Sequence, residues 1–249
     1  MEGTKFFKDS QIIVLGVCIA GATIISSLIL SEGIFRVMQF KEQVISVTGS
    51  AQKNITSDYI VWKGAFARRD LDLPAVYKAL QQDLDKVNAY LLTKQVNPSE
   101  IIVSQISITT LYKKNDEGHN TNDIEGYVLR QGIEVRSNDV EKISAVSRES
   151  TELINQGIAF ESYAPEYFYT KLDELKIEML AKATENAKVR VESMVKASGS
   201  TIGVMRSARM GVFQITPTTS TDVSDYGYND TSSLEKKVTA VVSAAFAIK

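Results

Sequence analysis

Few residues in this 249-residue chain combine the type and the spacing that chemistry needs. His119 is the only histidine, in the polar run Asn115-Asp116-Glu117-Gly118-His119-Asn120. The only cysteine, Cys18, sits in an apolar N-terminal segment. A zinc quartet or a nucleophilic triad therefore lacks parts. The G-x-S-x-G, G-x-x-x-x-G-K-[ST] and G-x-G-x-x-G fingerprints are absent. Asp222, Asp225, Asn229 and Asp230 carry oxygens of the kind calcium takes. Their spacing is not that of an EF-hand loop, and a solvated loop is the simpler reading. Asp70 and Asp72 form a carboxylate pair, but Asp72 is explained as a helix cap. Lys182, Lys188, Arg190 and Lys196 interleave with Glu178, Glu185 and Glu192, the pattern of a salt-bridged helix surface. The expectation is no resident cofactor, no metal and no catalysis.

One cluster is denser than a turn requires. Phe160, Tyr163, Tyr167, Phe168 and Tyr169 place five aromatics in ten residues around Pro165. Core packing accounts for such a cluster; so does a subunit contact, where Tyr and Phe are favoured, or stacking on a ligand. These five are the candidate contact residues.

The elements that position these residues follow from periodicity. Gln11–Ser31 is uncharged over 21 positions, long enough to cross a bilayer as one helix. Residues 1–10 read as a cytoplasmic head, 11–31 as a transmembrane anchor or signal, 32–42 as a juxtamembrane linker and 43–249 as the extracytoplasmic body. The apolar run exceeds a usual signal core. The nearest small-x-small site is Ser31-Glu32-Gly33, and Val17 stands where a lipoprotein signal wants a small residue before Cys18. Lys and Arg flank the span almost equally, so the short head carries the orientation argument.

Val44–Gly49 alternates as a short strand, and Tyr59–Arg68 as a second, with Trp62, Gly64 and Phe66 on one face. Leu73, Val76, Leu80, Leu84, Val87 and Leu91 then recur at helical spacing over 73–95. Ile101–Leu111 and Tyr127–Val135 alternate around a polar loop, Lys113–Glu125, as a long hairpin. Ser137-Asn138-Asp139 caps a helix with the apolar face Val140, Ile143, Val146 and Leu153, and Ile158–Ser162 is a brief strand. Tyr169–Ala197 is the longest body helix, with the stripe Leu172, Leu175, Met179, Ala183, Ala187, Val191 and Met194. Ile202–Ile215 reads as one strand interrupted near Gly211, Thr216–Ser233 as a polar loop, and Val238–Ile248 as the closing strand. The order β-β-α-β-β-α-β-α-β-β predicts an α+β fold with a mainly antiparallel sheet and helices on one side.

Residues 41–249 carry 25 bases and 27 acids, no footprint for nucleic acid. The body has no cysteine, which suits an oxidising compartment.

Four pieces resemble the SIMPL (DUF541) family, which includes a periplasmic immunogenic protein group. Ile45-Ser46-Val47-Thr48-Gly49-Ser50-Ala51 is similar to its opening I-x-V-x-G-x-[GA] strand. Ile106–Tyr112 with Gly126-Tyr127 resembles its strand, variable loop and G-Y return strand. Ala181-x-Ala183-x3-Ala187-Lys188-x-Arg190, followed by Gly199 and Ile202-Gly203, resembles its Ala-rich helix. Val238–Ile248 is similar to its closing strand. Lys53-Asn54-Ile55 departs from the pattern, as does the long polar loop before the last strand. The resemblance implies an extracytoplasmic, often oligomeric protein linked to the cell envelope and stress tolerance, with no catalytic residues to carry over. A homo-oligomer held to the inner membrane through residues 11–31 is the reading adopted. The alternatives are an envelope enzyme with an Asp/Lys/Tyr site and a secreted binding module released by cleavage.

Overall fold

The apolar N-terminal run forms one long helix, α1 (Gly3–Lys41), in the computed structural model, which describes residues 3–41 and 44–248. Over Ile13–Arg36 it is long and apolar enough to cross a membrane. It continues through residues 32–41, which the sequence assigned to a linker. Met1 and Glu2 of the head, Glu42 and Gln43 at the start of the body, and Lys249 lie outside the described residues, as do the side chains of Lys5, Lys8 and Lys41.

After α1 come β1 (Val44–Thr56), β2 (Tyr59–Asp70), α2 (Leu73–Thr93), β3 (Ile101–Val103), β4 (Ser107–Lys114) and β5 (Asn120–Ser137). Then follow α3 (Val140–Glu149), β6 (Phe160–Ser162), β7 (Glu166–Phe168) and α4 (Leu172–Ala197). The chain closes with β8 (Ile202–Met210), β9 (Gln214–Pro217), β10 (Tyr228–Asn229) and β11 (Glu235–Ile248). The fold is α+β, as its hairpins predict. Other expectations need correcting too. The Ile101–Leu111 run is two strands, because at Ser104 the side-chain oxygen accepts from the Gly132 N–H and breaks the ladder between β3 and β4. The polar loop shrinks to a tight turn: the Asn115 carboxamide accepts from the backbone N–H of Glu117 and His119, and Gly118 takes the left-handed conformation (φ 83°). On α4 the buried stripe ends at Val195, four residues after Val191, and Met194 is exposed.

The chain divides into two compact units. The first comprises residues 1–50, 183–211 and 241–249. In its sheet β11 pairs antiparallel with β8, from Val242 opposite Met210 to Ile248 opposite Ile202, and is also a neighbour of β1. Val47, Ala244 and Phe246 pack against Ala187, Val191 and Val195 of α4. Small residues set the spacing. A Cβ added to Gly49 would lie 2.2 Å from the Ala183 carbonyl oxygen and 2.4 Å from the Ala187 nitrogen. The backbone N–H of Ser50 donates to Asn186 Oδ1 at 3.1 Å, and Arg190 Nη1 donates to the Thr48 carbonyl at 3.0 Å.

The second unit comprises residues 51–182 and 212–240. Its main sheet runs β3-β5-β2-β6, with β4 beside β5 and β7 beside β2. Helices α2 and α3 cover one face. Asp72 caps α2 by accepting from the Ala75 N–H at 3.2 Å, and Asp139 caps α3 from the Lys142 N–H. Ile60, Trp62 and Phe66 of β2 join Leu129, Ile133 and Val135 of β5 in one core with Val76, Leu80, Val87 and Leu91 of α2 and Ile143 and Val146 of α3. Trp62 Nε1 donates to Ser162 Oγ at 3.0 Å, so the buried indole keeps a partner. At the sheet's end Arg68 grips Asp83 of α2 through two nitrogens, Nη2 at 2.7 Å. The Asp83 side chain is 1% exposed.

Glu178 of α4 is held in this unit by Lys182 at 2.8 Å and Lys53 at 2.7 Å. These two ammonium groups lower its pKa to about 2. Its contribution to stability is complete above about 4.5, its ordinary value, and is lost as pH falls through about 2. The pair is half exposed and screened, so the effect is small. In acid unfolding followed by circular dichroism, Glu178→Gln should flatten the slope between pH 4.5 and 2. An unchanged slope would show that Glu178 titrates alike in the folded and unfolded chain.

Candidate docking surfaces

Because side chains alternate across a strand, β2 and β5 that bury one set of residues under α2 and α3 present the other set outward. The outward positions are Tyr59, Val61, Lys63 and Ala65 on β2, and Arg130, Gly132, Glu134 and Arg136 on β5. Register sets Lys63 opposite Glu134 and Ala65 opposite Gly132. The small pair Ala65/Gly132 lowers the floor of a groove of about 370 Å³, bordered by Ile102, Ser104 and Gln105 on one side and by Arg130 and Tyr163 on the other. A second groove of about 450 Å³ runs from Lys63 and Glu134 to Arg136, Glu166 and Phe168. The two share Lys63 and Glu134.

The charges on this face are paired. Arg130 takes both Glu161 oxygens, at 2.9 and 2.6 Å, and the Tyr163 hydroxyl donates to Glu161 at 3.0 Å. The Arg130 guanidinium, with help from Tyr163, holds the Glu161 carboxyl below the usual carboxylate range. Arg136 pairs with Glu134 two residues back along the strand, and Lys63 lies 3.7 Å from Glu166. A trough with small residues at its floor and paired charges along its walls suits docking of a complementary surface better than bond-making.

The five candidate aromatics do not form one patch. Phe160 is buried, its ring 6.1 Å from that of Trp62. Tyr167 points to the helix side, where its hydroxyl lies 3.1 Å from Ser144 Oγ. Tyr163 and Phe168 border the outward grooves. Tyr169, half-buried, follows β7. Strand alternation separates Tyr167 from Phe168. The outward charges Lys63, Arg130, Glu134 and Arg136 were legible as the polar half of two alternating strands, but nothing in the sequence said that no further layer covers them.

A second surface runs along β4 to the far end of the β4–β5 hairpin. Ile108 (57% exposed), Tyr112 (41%) and Ile124 (47%) stand out of the sheet, with Tyr112 directly opposite Ile124. Opposite Leu111 and Tyr112 the strand β5 bulges at Glu125, next to Gly126 at φ 152°. A Cβ there would sit 2.9 Å from the Asp70 carbonyl oxygen, which accounts for glycine.

The remaining sequence candidates stay apart. His119 is exposed, 3.6 Å from Glu117. Asp222 is exposed and bonds Ser220, whereas Asp230 is buried and accepts from Ser232. Buried Lys236 donates to the carbonyls of Tyr167 and Asp230, and burial pushes its ammonium pKa down while Asp230 opposes the shift. This lysine ties β11 to β7 and the Asp230 loop. Among the described residues no three His, Cys, Asp or Glu converge to hold a metal ion.

A family model described as SIMPL, protein of unknown function (DUF541), matches residues 45–246. No curated protein matches the chain.

Proposed function

The chain belongs to the SIMPL (DUF541) family, and from that premise we propose that it is an inner-membrane-anchored, extracytoplasmic protein that acts by assembling with further copies of itself in the cell envelope. Stress tolerance is the physiological setting that the family suggests. The observation that carries the assembly reading is the uncovered β4 edge with Ile108, Tyr112 and Ile124 exposed beside it. An open edge templates pairing, and beyond Tyr127 only β4 and β5 continue as a two-stranded ribbon, marginal in water, so a second chain is the natural cover. The anchor confines chains to a plane and raises their local concentration.

Retention of the anchor is favoured by α1 running unbroken through Ser31-Glu32-Gly33, the one small-x-small triplet near its end. A body without cysteine suits a place outside the cytoplasm. Protease added to spheroplasts should digest the body. Protection until the membrane is lysed would refute the orientation.

For the interface, Ile108→Ser with Tyr112→Ser should reduce the native particle toward the 27.5 kDa chain while circular dichroism stays unchanged. Tyr163→Ser tests the groove separately and leaves the inward-facing Tyr167 intact. A particle unaffected by both changes would exclude the hairpin and the groove as contacts.

A further inference from the structure

We propose that the edge strand β8 is a lipid-contact surface that docks on anionic phospholipid headgroups through Arg206 and Arg209, with Val204, Met205 and Met210 dipping into the interface. The proposal rests on the anchor being retained, and goes beyond assembly to a second membrane contact.

Four observations carry it, all within the first unit. From Val204 to Met210 every residue of β8 is exposed, and three of the seven are large and apolar, Val204 at 62%. Residues 193–211 contain no Asp or Glu, while Lys196, Arg206 and Arg209 are present, so the segment is cationic in a chain of net charge −2. Neither arginine is in an ion pair among the described residues, unlike Arg130 and Arg136 of the outward sheet face. The register shift between Ala245 and Phe246 leaves Arg206 as the unpaired residue of a bulge, between Ser207 opposite Ala245 and Met205 opposite Phe246.

The fourth observation is reach. The uncharged run ends at Ser31 and β1 begins at Val44. Ten helical steps and three extended ones allow at most roughly 26 Å between them. β1 and β8 are both strands of the sheet that contains β11. The sheet carrying β8 is therefore tethered close to the headgroups, where even weak contacts are populated. Arginines on an edge strand also guard against strand pairing. That role alone does not call for exposed Val204, Met205 and Met210 beside them. Register sets Arg209 opposite Ser243, and Met205 and Met210 opposite Phe246 and Val242, on the two faces of the strand, so an edge-on strand is what brings basic groups among anionic lipids and apolar side chains to the acyl boundary together.

The test uses the full chain with Cys18→Ser and Val204→Cys carrying an environment-sensitive fluorophore, reconstituted in phosphatidylcholine vesicles with or without phosphatidylglycerol. Headgroup-attached nitroxides should quench the fluorophore in the phosphatidylglycerol vesicles. Quenching should fall in high salt and in pure phosphatidylcholine. Each arginine should contribute about fivefold to the docking equilibrium, so Arg206→Ser with Arg209→Ser should weaken it by about 30-fold, and Arg→Lys at both should restore it. A chain that sediments with the vesicles but shows no quenching would overturn the proposal and leave the anchor standing. Failure to sediment would overturn both. Quenching that is indifferent to phosphatidylglycerol would overturn headgroup docking. Emission that shifts only as the protein-to-lipid ratio rises would assign the edge to another copy of the chain, and would overturn it too.

Discussion

Gly49→Ala should destabilise the protein by about 4 kcal/mol or more, the largest effect expected of a single methyl group here. The new Cβ would meet the backbone of α4, with the Ala183 oxygen at 2.2 Å and the Ala187 nitrogen at 2.4 Å. A flexible side chain could swing away, but a helix backbone cannot. Moving α4 outward would open the contacts of Val47 with Ala187 and Val191. It would also stretch the hydrogen bonds Ser50–Asn186 and Arg190–Thr48. In thermal denaturation the midpoint should fall by about 10 °C or more, with Ala187→Leu behaving alike. A midpoint within about 2 °C of the parent would mean that strand and helix do not approach this closely.

Arg68→Met should cost about 3–5 kcal/mol, because it leaves the Asp83 carboxylate buried without its partner. Asp83 is 1% exposed, whereas Arg68 keeps a third of its side chain in water. The loss is therefore asymmetric. Asp83→Leu frees an arginine that can turn to solvent and still donate to the Gly157 carbonyl, so it should cost less. The double change Arg68→Met with Asp83→Leu should recover most of the stability, because an apolar pair replaces an ion pair at an already apolar boundary. Equilibrium unfolding of the four proteins gives the coupling directly. A loss below about 1 kcal/mol for Arg68→Met would show that water reaches Asp83.

These two sites differ in how far the sequence exposes them. Gly49 closes an I-x-V-x-G strand, and Ala183 and Ala187 form part of an Ala-rich helix; both patterns were visible, and close strand–helix packing is the physical reason for each. Asp83 was hidden, since one acid among the polar positions of α2 looks like solvated surface until Arg68 is brought beside it. Helical periodicity placed α2 and α3 well because Val76, Leu80, Val87, Val140, Ile143 and Val146 all face one core. It failed at the end of α4, where Val195 and Met194 are equally apolar and the helix phase decides between them. Strand ends were harder. β1 continues to Thr56 through polar residues, held in part by the Lys53–Glu178 pair, which no alternation announces. The aromatic run at 160–169 looked like a patch because composition is blind to alternation; β7 turns Tyr167 inward to Ser144 and Phe168 outward to the groove. The candidate docking surfaces were least legible. An outward sheet face with paired charges has the same polar positions as a solvated one, and only the fold tells which residues a further layer covers.

We propose that this chain is anchored through α1 and works as an assembly. The most direct test is the mass of the native particle extracted in detergent, with the detergent contribution subtracted. The account predicts a fixed multiple of 27.5 kDa that persists on dilution. A particle of one chain, with no association at high protein concentration, would contradict it.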